Sequence, residues 1–177
     1  SAYRPLIPGT RFIDFNDVDA INNISKKTAA IILETIQGGA GFIVPKKGYL
    51  KRIKKRCEEV GALLILDEIQ PGLGRTGKLF AFMDHDMVPD ILVTGKGLGG
   101  GLPVGAFIAA QYHMAHLKEA PSLGHITTFG GNPVIAAACR ATLSTILSGN
   151  LMEETLEKEK LFRELLIHSK IKDIRGK

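Results

Sequence analysis

The chain has 177 residues, of which 45% are hydrophobic and 23% charged, and carries a formal charge of +5; at this length roughly 70% of the unfolded surface can be buried, so a real core is within reach. No apolar run approaches the ~20 residues of a membrane helix and no charged-then-apolar leader opens the chain, so the sequence reads as cytosolic with no membrane partner. Its positive residues are scattered except in Lys51 to Arg56, and with no Trp and three Tyr it offers no aromatic-laced basic face for nucleic acid.

Along the chain, short apolar runs alternate with helical patterns. Ser1 to Asp14 reads as a Pro- and Gly-rich loop, and Ala29 to Thr35 as a first strand. From Gly48 to Val60, Leu50, Ile53, Cys57 and Val60 recur at helical spacing while Lys51, Arg52, Lys54 and Lys55 face away; Gly61 is a natural stop. Further strands are expected at Ala62 to Leu66, Ile91 to Thr94 and Gly105 to Ala110, each continuously apolar, as when both faces of a sheet are covered. Asn132 and Pro133 then start a helix to about Ser148, because Asn can cap free amides and Pro needs no amide partner at the first helical position. A charged helix over Leu151 to His168 presents Leu156, Leu161 and Leu165 as its expected buried stripe. The alternation predicts an α/β fold with a mainly parallel sheet. Cys57 and Cys139 both fall in helical patterns and read as buried thiols with no chemistry of their own.

Three places could carry chemistry. Asp67 and Glu68 close an apolar strand, and Ile69, Gln70 and a Gly-rich loop to Gly77 follow; ligands of open α/β sheets sit at such carboxyl ends, where a carboxylate must be solvated, paired or bonded. A helix cap or loop salt bridge would use the same residues. Lys96 follows the third strand with Gly95, Gly97, Gly99, Gly100 and Gly101 around it, which suits a lysine that needs room for a bulky covalent adduct, although a surface lysine in a loop is the commoner case. Gly95, Gly97 and Gly100 also match a dinucleotide fingerprint, but Gly101-Leu102-Pro103 stands where its helix should begin, and no Ser or Thr follows Lys96 to make a Walker loop. Thr127 and Thr128, ahead of the capped helix, form a ready phosphate acceptor or a plain turn. Asp84, His85 and Asp86 are too close in sequence to converge on one ion, and His113 with His116 lacks a third ligand, so no metal is expected.

Taken together, Glu34-Thr35-Ile36-Gln37-Gly38, Asp67-Glu68-Ile69-Gln70 with Gly74-Arg75-Thr76-Gly77, Gly95 to Gly101, and Thr127 to Pro133 resemble the class III aminotransferases in order and spacing, with the likeness nearest to the ornithine and acetylornithine enzymes. The resemblance runs from about Pro5 to Gly176 and implies the type I aminotransferase (aspartate aminotransferase-like) large domain: a mainly parallel sheet with helices on both faces, incomplete here. Residues 1–150 would be part of the cofactor-binding domain and 151–177 a linker helix toward a small domain, with both ends expected to be cuts through a longer enzyme.

The same resemblance implies pyridoxal phosphate as cofactor. Lys96 would hold it as a Schiff base and shuttle the proton, and Asp67 would keep the pyridine nitrogen protonated so that the ring serves as an electron sink. Gln70 would touch the ring hydroxyl, Glu68 and Ile69 would line the ring face, and Glu34 would support the pocket from behind. Thr128 would bond the phosphate of the cofactor in the opposite subunit of a homodimer, with Thr127 nearer the substrate. The implied reaction moves the terminal amine of ornithine or N-acetylornithine to 2-oxoglutarate; an aminomutase of the same fold and a non-catalytic fragment are the alternatives. Gly39 stands where many relatives carry an acid thought to switch an arginine between two substrates, so the choice of substrate stays open there. The family's phosphate cup, ring-stacking aromatic and carboxylate-gripping arginine are expected outside these residues.

Overall fold

The structure, a computed structural model, describes residues 4–119, 122 and 124–177; the first three residues of the opening loop lie outside them. Four strands form one sheet in the order β1 (Ala30–Glu34), β2 (Leu63–Asp67), β3 (Ile91–Gly95), β4 (Gly105–Ala109). The first three are parallel and β4 runs antiparallel to β3. Each expected strand is present within a residue of its predicted ends.

A parallel β1–β2 pair needs a crossover, and α1 (Tyr49–Val60) supplies it. Gly61 ends this helix in the left-handed region, φ +78°, so that its amide reaches the Cys57 carbonyl, a geometry costly for any residue with a Cβ. Tyr49, Leu50, Ile53 and Cys57 are buried and pack with Ile21 and Ile24 against Leu64 and Leu66 of β2; each such side chain contributes about 1.5–3 kcal/mol by leaving water. Burial pushes the Cys57 thiol up to about 11, so it stays protonated and inert. Lys54, assigned by the pattern to the wet side, is instead largely covered and pairs with Asp90 at 2.7 Å. Desolvation alone would lower its pKa, but the hydrogen bond and charge of Asp90 outweigh it and the net shift is upward. The other oxygen of Asp90 accepts the Leu64 amide at 2.8 Å, which locks the loop before β3 to the start of β2.

Cover on the other side of the sheet is uneven. Cross-strand partners share a face, and Ile32, Ile65, Ile91 and Ala109 lie in one such row opposite the face that carries Leu64 and Leu66. Ile32 is 70% exposed there, because no described element lies over β1 on that side. After β4 come α2 (Gln111–Glu119) and α3 (Pro133–Ser148). The Asn132 side chain accepts the amides of Val134 and Ile135, and Pro133 occupies the first helical turn as expected. The α3 helix lies against the 3-10 turn Lys96–Gly99.

The last helix, α4 (Leu151–Leu165), departs from expectation in two ways. It stops before His168, with the Leu166 amide closing on Phe162. Its leucine stripe is not buried: Leu156, Leu161 and Leu165 are 46%, 52% and 71% exposed. Its first turns meet the Gly-rich loop, where Met152 and Leu156 approach Gly74 and Gly77 and the Thr155 hydroxyl donates to the Gly74 carbonyl, and its last turn meets the tail through Arg163. Beyond that loop no described element covers the stripe. No single helix among the described residues is long and apolar enough to cross a membrane.

Candidate active site

The parallel register places the tips of β1, β2 and β3 side by side. Glu34 is paired with Asp67 and Asp67 with Val93, so all three share one face at the carboxyl end of the sheet, where open α/β folds collect their ligands. Asp67 is half-buried; its Oδ1 accepts the Ile69 amide at 2.9 Å, which leaves Oδ2 without a protein partner among the described residues.

Glu68 does not join this face. Its carboxylate is completely buried: Oε1 takes the Thr35 hydroxyl at 2.6 Å and the Phe82 amide at 2.8 Å, and Oε2 takes the Ala81 amide at 2.9 Å. Desolvation raises its pKa, opposed by these three hydrogen bonds. The expected contact of Glu68 with a cofactor ring is therefore corrected: both its carboxyl oxygens are engaged in tying the end of β1 to the 81–84 turn. The signal was available, since adjacent residues at a strand end point to opposite faces and Asp67 already occupies the ligand side.

Beyond the strand tips lies a cavity of about 920 Å³, within the size range of small-molecule sites. Lys96, Ile69 and Gln70 line it; Asp67, Thr127 and Thr128 do not. Lys96 is exposed and follows Gly95 at the end of β3 with φ +40°, a left-handed conformation uncommon for a residue with a side chain. Such outliers cost on the order of 1–2 kcal/mol and collect at functional positions. The Gln70 carboxamide makes no hydrogen bond with any described residue. Thr127 and Thr128 are exposed in the turn before α3, held by the Gly130 amide on the Thr127 carbonyl and by the Asn132 cap.

Several cavity residues had no site role in the sequence reading. Gly38 and Phe42 close one side from the loop after β1, Arg75 and Thr76 another from the Gly-rich loop, and Arg163 with Arg175 come from α4 and the tail. The tail is folded back by Arg163, which donates to the carbonyls of Ile174 and Gly176, and by the ion pair of Lys177 with Asp84. Nothing local in the sequence marks a tail that returns to a site set up some eighty residues earlier.

The site thus holds an amine on a strained turn, an unpartnered amide and a half-satisfied carboxylate. The family model for aminotransferase class III matches residues 12–177. The chain belongs to the class III aminotransferases. Among curated relatives of this class III chain, the acetylornithine aminotransferase of Methanopyrus kandleri is 43% identical over 179 residues, covering 99% of this chain and 45% of that protein. Among solved structures, an ornithine aminotransferase from Toxoplasma gondii superposes with a TM-score of 0.86 at 40% identity, over 99% of this chain and 42% of that one; that protein carries partial occupancy of pyridoxal phosphate at its active site. An acetylornithine aminotransferase from Elizabethkingia anophelis gives 0.81 at 40% identity, over 89% of this chain and 40% of its own. The class III fold identified from the sequence is thus present, and the chain spans less than half the length of these relatives.

Proposed function

We propose that the protein containing this chain is a pyridoxal-phosphate-dependent transaminase that moves the terminal amino group of ornithine or N-acetylornithine to 2-oxoglutarate. The observation that carries the reading is the unpaired Lys96 amine, held on a left-handed backbone in the same cavity as the unpartnered Gln70 amide. The cavity residues fit one end of the cofactor, an amine for its aldehyde carbon and an amide for its ring hydroxyl, and Asp67, outside that lining at the tip of β2, is assigned to its ring nitrogen. They supply no phosphate cup within the cavity.

When bound, pyridoxal phosphate supplies a cationic ring into which the electron pair of a breaking C–H bond can drain. Lys96 would hold that group through its side-chain nitrogen, and its amine would accept the proton from the amine-bearing carbon of the substrate. The free oxygen of Asp67 would hold a proton at the ring nitrogen. Gln70 would orient the ring through its hydroxyl, and the Ile69 side chain would exclude water from the cavity wall. Thr128 is assigned to the phosphate held by a partner subunit and Thr127 to the substrate beside it, which explains why two exposed threonines outside this cavity stand on a capped helix start. In this reading the enzyme is a cytosolic homodimer, and residues 151–177 lead on to a further domain.

The test is amino transfer by the full-length protein from ornithine and from N-acetylornithine, with and without 2-oxoglutarate. The reading expects turnover with one of these donors, strict dependence on the oxo acid, and a loss of at least about 1,000-fold in Lys96→Ala, the scale on which removal of a covalent catalyst and general base is felt. Turnover without any oxo acid would replace transamination with an intramolecular amine shift.

A further inference from the structure

We infer that Gly38 is a positioning residue whose missing side chain is the seat of the Gln70 carboxamide. The inference rests on the role proposed above for Gln70 and adds the group that aims it. Gly38 sits where the chain leaves β1 and folds back on itself. The Gln37–Ile43 bridge closes this loop, and the Gly38 carbonyl accepts the amides of Gly41 at 3.0 Å and Phe42 at 3.3 Å, so its backbone is fixed. A Cβ placed on Gly38 would collide with Gln70 Oε1 and stand 2.5 Å from Cδ and 3.1 Å from Nε2. Its three nearest neighbours are all atoms of that one carboxamide. The backbone of Gly38 is not in the left-handed region that demands glycine, so its conformation does not account for the residue. The close approach does.

A free glutamine surrenders rotamer freedom when it meets a ligand. Gln70 has no hydrogen-bond partner to restrain it, and the Gly38 backbone is the surface against which its amide rests. A methyl group there would push the amide out of line while leaving the fold intact, because the atoms that must yield are the far end of a flexible side chain. Gly39, the next residue, faces open space, with nothing within 4 Å of its would-be Cβ, and serves as the control.

The experiment follows the pH titration of the bound cofactor's visible absorbance in the full-length protein, which reports hydrogen bonding at the ring hydroxyl independently of turnover. Gln70→Ala and Gly38→Ala should move the midpoint in the same direction by about 0.5–1 pH unit, the scale of one net hydrogen bond. The double variant should move it no further than the larger single change, and Gly39→Ala should leave it in place. A shift in Gln70→Ala with none in Gly38→Ala, or additive shifts, overturns the inference and leaves the role of Gln70 standing. No shift in Gln70→Ala overturns that role and the inference with it. Should Gly38→Ala fail to fold, Gly38→Ala with Gln70→Asn, whose amide is one methylene shorter, should restore folding; continued failure would show that the methyl meets something other than the amide.

Discussion

The two halves of the molecule are built to different standards of closure. In α1, four side chains from twelve residues are buried against β2. In α3 and α4, thirty-one residues long between them, none is. Both regions have apolar faces, but among the described residues only the first is fully covered. An amphipathic pattern therefore establishes that a face must be covered without saying by what. Here the uncovered side includes the turn with Thr127 and Thr128 and the α4 stripe, while Leu64 and Leu66, on the other face of the strand that ends in Asp67, rest on the closed side.

Substitutions should separate the halves cleanly. The largest expected effect is Ile53→Ala, which opens a cavity in a fully buried site and should cost about 2–5 kcal/mol in urea unfolding. A loss below 1 kcal/mol would show that the α1 core is looser than described.

Next comes Glu68→Gln, which leaves the buried Ala81 amide facing an NH₂ group and should cost about 1–3 kcal/mol. Its pH dependence has a definite sign. Because the folded pKa of Glu68 is raised, the folded state keeps a proton that the unfolded chain releases. Its contribution is full below the ordinary carboxylate value and declines as pH rises through the raised one. Stability against pH should thus fall across that window in the parent and run flatter in Glu68→Gln; equal slopes would contradict the assignment.

On the open side the effects shrink. Asn132→Ala removes two accepted amides and should cost about 1 kcal/mol, read as a lower thermal midpoint. Leu161→Ala should change stability of the 177-residue chain by less than about 0.5 kcal/mol, since its side chain is half exposed. A larger loss would mean that α4 is covered by something in solution, such as a second copy.

What was legible in the sequence follows the same division. Strand positions, the α1 face, the Gly61 stop and the Asn132 cap are set by residues close together in the chain, and local chemistry specified each one. Family membership was legible because four motifs recur in order at fixed spacing. Glu68 was assigned to the ring face through the family resemblance, although alternation at a strand end turns it away from the face of Asp67. The leucine stripe of α4 was misjudged for a different reason: its amphipathic pattern is real, but burial also needs a partner. The return of Arg163 and Arg175 to the cavity depends on long-range folding of the tail and has no local signature. Gly38 was noticed only as part of a motif; its closeness to Gln70 exists only in three dimensions.

The central claim is that Lys96, raised on its strained turn beside the tip of β2, is the amine that holds the cofactor. It is tested most directly by loading the full-length protein with pyridoxal phosphate, reducing with borohydride and mapping the modified peptide by mass spectrometry. The account predicts one stoichiometric adduct, on the peptide carrying Thr94-Gly95-Lys96-Gly97. An adduct confined to any other lysine would contradict it.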